Sequence, residues 1–132
     1  SALKANMDDI SKRYNKDVIV VEAAYAYTLE NCDNAENSFQ QKEEKEGGYP
    51  ATVQGQYDYV HDLMQSVANV ENHRGKGIFY WEPAWIAVPG NTWATPAGMK
   101  YIHDEWKTGN ARENQAFFDC HGNVLPSVKV FN

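Results

Sequence analysis

Apolar and polar positions alternate along the chain in two distinct rhythms. Leu3, Met7, Ile10 and Tyr14 recur at helical spacing with charged residues between them, which predicts an opening amphipathic helix ended by Asn15-Lys16-Asp17. The unbroken run Val18-Ile19-Val20-Val21 follows, the pattern of a short strand buried on both faces, as in parallel sheets. A polar stretch from Thr28 to Tyr49 predicts a long loop of the kind that carries function. Val53, Tyr57, Val60, Met64 and Val67 then trace a second helix, opened near Pro50 and running to about Val70. Gly75 and Gly77 punctuate, and Ile78-Phe79-Tyr80-Trp81 reads as a second buried strand. A further helix is expected over Pro96 to Trp106, with Met99, Ile102 and Trp106 on one side. Phe117 to Asn123 reads as a turn, and Pro126 opens a brief terminal helix to Phe131.

Helix, strand, loop, helix, strand, loop, helix is the alternation of an α/β chain with a parallel sheet. Two strands neither complete a doubly wound sheet nor close a barrel, which needs eight. The 132 residues therefore read as one segment, 1–132, of a larger architecture, with 28–50 and 86–112 as its long loops. Both strands end in a carboxylate, Glu22 and Glu82. The C-terminal ends of parallel strands are where barrels and open α/β sheets build active sites, so Glu22 is the candidate for chemistry.

Composition narrows the alternatives. A net charge of −6 and the lack of a basic stripe argue against nucleic acid. No apolar stretch approaches membrane-spanning length. No leader pattern opens the sequence, so a secretory leader is expected to have been removed or to lie outside it. Cys32 and Cys120 lack metal spacing and can form one disulfide. The chain holds four Trp, eight Tyr and five Phe, and several tryptophans fall in Gly/Pro-rich loops. There they serve either to plug loops onto a scaffold or to stack on sugar rings.

The elements Val20-Val21-Glu22-Ala23-Ala24-Tyr25, Val53-Gln54-Gly55-Gln56, Phe79-Tyr80-Trp81-Glu82-Pro83-Ala84-Trp85 and Leu125-Pro126-Ser127 together resemble glycoside hydrolase family 53. These are endo-β-1,4-galactanases, secreted enzymes that cut the galactan of type I arabinogalactan and pectin. The resemblance runs from about Leu3 to Phe131. It implies a partial (β/α)8 TIM barrel made of the last two strands with their helices and long loops. It also implies retaining hydrolysis, with Glu22 as the nucleophile at the end of the seventh strand. The Asn-Glu acid/base motif of the fourth strand has no counterpart, so the isolated chain is expected to be inactive. Retaining chemistry needs two carboxyls about 5–5.5 Å apart on opposite sides of the sugar. Glu22 and Glu82 end neighbouring strands and would share one wall, so Glu82 is expected to orient a neighbour or hold a sugar hydroxyl.

Trp81, Trp85 and Trp93 are then candidates for a sugar platform. Tyr25 either hydrogen-bonds the Glu22 carboxylate or fills space. The chemistry requires no cofactor. Asn31, Asp33, Ala35 and Asn37 alternate as in calcium loops, with Asp104 as a partner from the second loop. The resemblance points the same way, because bacterial members carry a calcium joining the loops after the seventh and eighth strands. His61, His73, His103 and His121 lack ligand spacing and are expected at the surface. The expected partners are galactan or arabinogalactan, together with a second copy or the missing barrel portion, because torn strands expose pairing edges. The other readings are a non-catalytic carbohydrate-binding module and an oligomerising inactive fragment.

Overall fold

A computed structural model describes residues 1–105 and 108–132. Six principal elements follow one another: α1 (Ala2–Tyr14), β1 (Val18–Ala23), α2 (Gln41–Gly47), α3 (Val53–Ala68), β2 (Gly75–Tyr80) and α4 (Pro96–Tyr101). Short 3-10 turns cover Glu71–His73, Glu113–Gln115 and Pro126–Phe131. Local chemistry sets the ends. Ser1 caps α1 by accepting the Lys4 N–H, and Asn15 closes it in the left-handed region at φ 53, a conformation asparagine tolerates. Thr52 caps α3 through Gly55 N–H. A Cβ on Gly55 would lie 1.8 Å from the Pro50 carbonyl oxygen, so only glycine lets the incoming chain cross the helix there.

β1 and β2 pair in parallel, Val18 with Gly75, Val20 with Ile78 and Ala23 with Tyr80. Two irregularities interrupt the ladder. The second places two residues, Val21 and Glu22, opposite the single residue Phe79. A bulge of this kind re-aims side chains and is common beside active sites.

One face of the pair packs on helices: Val18, Val20 and Ile78 meet Met7, Val67 and Val70. The other face is open. Ile19 (49% exposed), Val21 (74%), Phe79 (63%) and Trp81 (42%) stand on it. The unbroken apolar run of β1 predicts burial on both faces, and this chain supplies cover for only one. In a closed barrel the uncovered side is the interior, filled by inward residues from the other strands. Helix α1 shows the same incompleteness. Met7 is buried, whereas Leu3, Ile10 and Tyr14 of its predicted stripe are exposed.

The second helix is rotated from its predicted face. Its buried residues are Gly55, Gln56, Val60, Leu63 and Val67, and Val53 is exposed. The rotation brings Gln56, fully buried, to the centre of the molecule. Its Nε2 donates to the carbonyls of Tyr25 and Ala116, both at 2.9 Å, and its Oε1 accepts Ser127 Oγ–H at 2.7 Å. Beside it the Tyr80 hydroxyl accepts Tyr25 N–H at 2.9 Å and donates to the Gln115 carbonyl at 2.8 Å. Burial pushes the Tyr80 hydroxyl well above the usual phenol range, so it remains a donor. Five separate stretches of chain thus meet at two side chains.

The loop after β1 is less irregular than its composition predicts, because it contains α2. That helix is opened by Gln40, whose N–H is accepted by Glu43 at 3.0 Å, and closed by Gly48 at φ 79. The fourth helix is shorter than predicted and ends at Tyr101; Trp106 lies outside the described residues. The turn near Asp119 and the terminal 3-10 turn form where predicted. Cys32 and Cys120 are joined across 88 residues with their Cα atoms 6.0 Å apart, within disulfide geometry.

Replacing Gln56 by Leu removes the donor and the acceptor that serve three buried groups. A loss of about 3 kcal/mol is expected, read from urea unfolding. Replacing Cys32 and Cys120 together by Ser opens the 88-residue loop and is expected to lower stability by up to about 4 kcal/mol. Wild-type unfolding with and without a thiol reductant gives the same comparison without mutation.

Candidate functional site

The C-terminal ends of the two strands build the site. Glu22 leaves β1 at the bulge, solvent-exposed, on the face that also carries Phe79 and Trp81. Its side chain makes no hydrogen bond or ion pair among the described residues, so its position is set by backbone alone. That backbone is fixed on both sides of the sheet: the Ala23 carbonyl accepts Trp81 N–H at 2.8 Å, and Tyr25 is gripped by Tyr80 and Gln56.

Beyond β2 the chain turns sharply at Glu82, whose φ is 46. A non-glycine residue in that region is uncommon and costs backbone energy, a pattern concentrated at functional sites. The turn is fastened from below by the Phe117 N–H to the Pro83 carbonyl at 2.7 Å and by Asn110 Nδ2–H to the Trp85 carbonyl at 2.7 Å. Glu82, Trp85 and Trp93, with Ala84 and Thr92, line one open cleft. Trp93 is held at its edge by donating its indole N–H to Asp104 Oδ2 at 3.0 Å. Two indoles and a carboxylate around a cleft suit a sugar, which offers C–H faces for stacking and hydroxyls for hydrogen bonding.

The remaining candidates are placed otherwise. Tyr25 is 2% exposed, stacked on Tyr59 and edge-on to Phe39. Its hydroxyl donates to the Tyr49 carbonyl at 2.7 Å. The hydroxyl is engaged with the Tyr49 backbone rather than with Glu22. The four histidines are all exposed.

The Asn31–Asn37 loop folds on its own backbone. Asn31 Oδ1 accepts Asn37 N–H at 3.2 Å, and Asp33 Oδ1 accepts Ala35 N–H at 2.7 Å. Asp33 Oδ2 accepts Asn110 N–H at 2.7 Å. Asn37 is 2% exposed, with its amide donating to the Glu30 carbonyl and its Oδ1 buried without a partner among the described residues. Among the described residues no group of three or more His, Cys, Asp or Glu comes together to hold a metal. The Asn31 and Asp33 side-chain oxygens thus accept backbone N–H groups, whereas the Asn37 oxygen accepts none among the described residues. Protein groups tie the long loops together: the Asp33–Asn110 bond, the Ser38 N–H to the Ala111 carbonyl at 2.8 Å, and the Asn114 amide to the Thr28 and Phe39 carbonyls.

The spacing gave no signal for three residues of this joint: Asn110, Glu113 and Asn114, all 2% exposed or less. Burial pushes the Glu113 carboxyl up, partly offset by a hydrogen bond from Cys32 N–H and reinforced by nearby Asp33. Tyr27, buried beside Glu113 and Asp119, is pushed up to about 12.

The sequence model of Glycosyl hydrolase family 53 matches residues 1–131. The chain is 38% identical to the endo-beta-1,4-galactanase of Bacillus subtilis (strain 168), over 99% of this chain and 33% of that protein. It is 34% identical to the arabinogalactan endo-beta-1,4-galactanase of Cellvibrio japonicus (strain Ueda107), over 93% of this chain and 29% of that protein. Among solved structures, the Ignisphaera aggregans GH53 catalytic domain superposes with a TM-score of 0.83 at 38% identity, covering 98% of this chain and 33% of that one. A fungal beta-1,4-galactanase gives 0.60 at 27% identity, with 98% and 32% covered. The chain spans about a third of the length of these relatives. It belongs to glycosyl hydrolase family 53, and its fold is part of a (β/α)8 barrel.

Proposed function

We propose that this chain forms the nucleophile-bearing wall of an endo-β-1,4-galactanase acting on the galactan of arabinogalactan and pectin. The observation that carries the reading is the bulge in β1, which sets Glu22 on the open face beside Phe79 and Trp81 at the mouth of the strands. In a retaining reaction the Glu22 carboxylate attacks the anomeric carbon as the glycosidic bond breaks. The departing oxygen takes a proton from a second carboxylic acid, and water then releases the sugar from Glu22. The cleft of Glu82, Trp85 and Trp93 holds a galactose unit next to the reacting one by stacking and hydroxyl contacts.

Glu82 cannot serve as the second acid in this scheme, because it follows the adjacent strand on the same wall. The proton donor therefore comes from barrel strands outside this chain. The open face bearing Ile19, Val21 and Phe79 is the surface those strands would cover. The partner in this reading is the complementary part of a family 53 barrel, and the setting is extracellular, where a disulfide such as Cys32–Cys120 persists.

The test adds a separately produced family 53 polypeptide, comprising the barrel strands this chain does not span, and measures reducing ends released from β-1,4-galactan. Activity is expected only when the two parts are combined. Glu22→Gln is expected to lower it by about 10⁴-fold or more while leaving galactan affinity in place. Undiminished hydrolysis by Glu22→Gln removes Glu22 from the nucleophile role. Binding of galactan with no cleavage by any combination assigns the chain to binding alone.

A further inference from the structure

We propose that Asn110 is the positioning residue for the sugar cleft, setting the height and tilt of Trp85; the ligand named for that cleft rests on the galactan reading above. Trp85 is half-buried, and its indole enters none of the ring contacts among the described residues. Its placement is therefore inherited from the turn that follows Glu82. Two donors from the 110–117 stretch hold that turn, and only one of them is a side chain. Phe117 offers a backbone N–H to Pro83, which most residue types would supply. Asn110 reaches Trp85 itself, its Nδ2 lying 2.7 Å from the carbonyl oxygen.

Every polar group of Asn110 is committed. Its Oδ1 accepts Arg112 N–H at 2.9 Å, its carbonyl accepts Glu113 N–H at 3.3 Å, and its N–H donates to Asp33 Oδ2 at 2.7 Å. At 1% exposure it has no water to substitute for a lost partner. Asn110 therefore joins three things: the loop after β1 through Asp33, the buried joint through Arg112 and Glu113, and the cleft through Trp85. The neighbouring residue is constrained to match. Gly109 has φ 130, and a Cβ there would lie 2.6 Å from Ala35 Cβ, so the two loops approach as closely as backbone allows immediately before Asn110.

The chemistry of the contact makes the test specific. Asn110→Asp keeps the shape and the acceptor for Arg112 N–H, but it turns an oxygen toward the Trp85 carbonyl. Two acceptors then face each other, and the turn must shift. Asn110→Ser is the gentler variant, retaining an oxygen while withdrawing the donor from Trp85, and it serves if the aspartate variant does not fold. Fluorine NMR of the chain labelled with 5-fluorotryptophan reads the turn directly. The Trp85 resonance is expected to move in either variant while that of Trp81 stays. An unmoved Trp85 resonance overturns the proposal whether or not any sugar binds.

Affinity for β-1,4-galactotriose supplies the second readout. Asn110→Asp and Trp85→Ala are each expected to weaken binding about tenfold or more, and the double variant no further than Trp85→Ala alone. Additive losses would make Asn110 merely structural and overturn its role toward Trp85. A wild-type chain that fails to bind the trisaccharide, with the Trp85 resonance still moving on substitution, counts against the galactan reading and not against the positioning of Trp85.

Discussion

A single buried amide and one phenol hold this molecule together. Gln56 and Tyr80 have no charge and no catalytic chemistry, yet between them they satisfy backbone groups at Tyr25, Gln115 and Ala116 and a hydroxyl at Ser127. A two-stranded parallel sheet has little cohesion of its own. Here the strands are kept together by what lies just past their ends, where β1 has run out of ladder partners and the chain would otherwise leave as unpaired backbone. Leaving such groups dry and unpaired costs more than forming the bonds gains, which makes this small network decisive for the fold.

The same network determines where chemistry can occur. Glu22 is exposed and unsupported by side chains among the described residues, so its position follows from the bulge on one side and the grip on Tyr25 on the other. The Glu82 turn depends on the 110–117 stretch, which Gln56 and Tyr80 also hold at Gln115 and Ala116. One buried centre therefore supports the Glu22 carboxylate and the tryptophan cleft together. The long loops are closed over it by amide side chains and a disulfide, devices suited to holding one geometry rather than switching between several.

Much of this was legible in the chain. The apolar run ending in Glu22 and the matching run ending in Glu82 located both strands, because a short β-branched run followed by polar sequence has few other interpretations. The motifs around Trp81 to Trp85 led to the family. The sequence misled where a residue's partners lie outside the chain or far along it. Ile19 and Val21 look like core because they belong to the core of a closed barrel. Gln56 looks like a solvated helix position because amphipathic spacing scores it as polar, and only the fold reveals the two carbonyls and one hydroxyl converging on it. Asn31 and Asp33 match a metal spacing, and the same short oxygen-bearing side chains also accept backbone N–H groups of their own loop, a use the spacing does not distinguish. Asn110 and Asn114 carry no motif because their partners lie 25 to 86 residues away.

The central claim is that the end of β1, the Glu82 turn and the 115–116 backbone form one cooperative unit around Gln56 and Tyr80. Native-state hydrogen exchange tests it most directly. The amides of Tyr25, Trp81 and Phe117 should exchange together, with a free energy of opening equal to that of global unfolding. A Tyr25 amide that exchanges at the rate of an open loop while the other two stay protected would contradict it, and with it the account of how Glu22 is held in place.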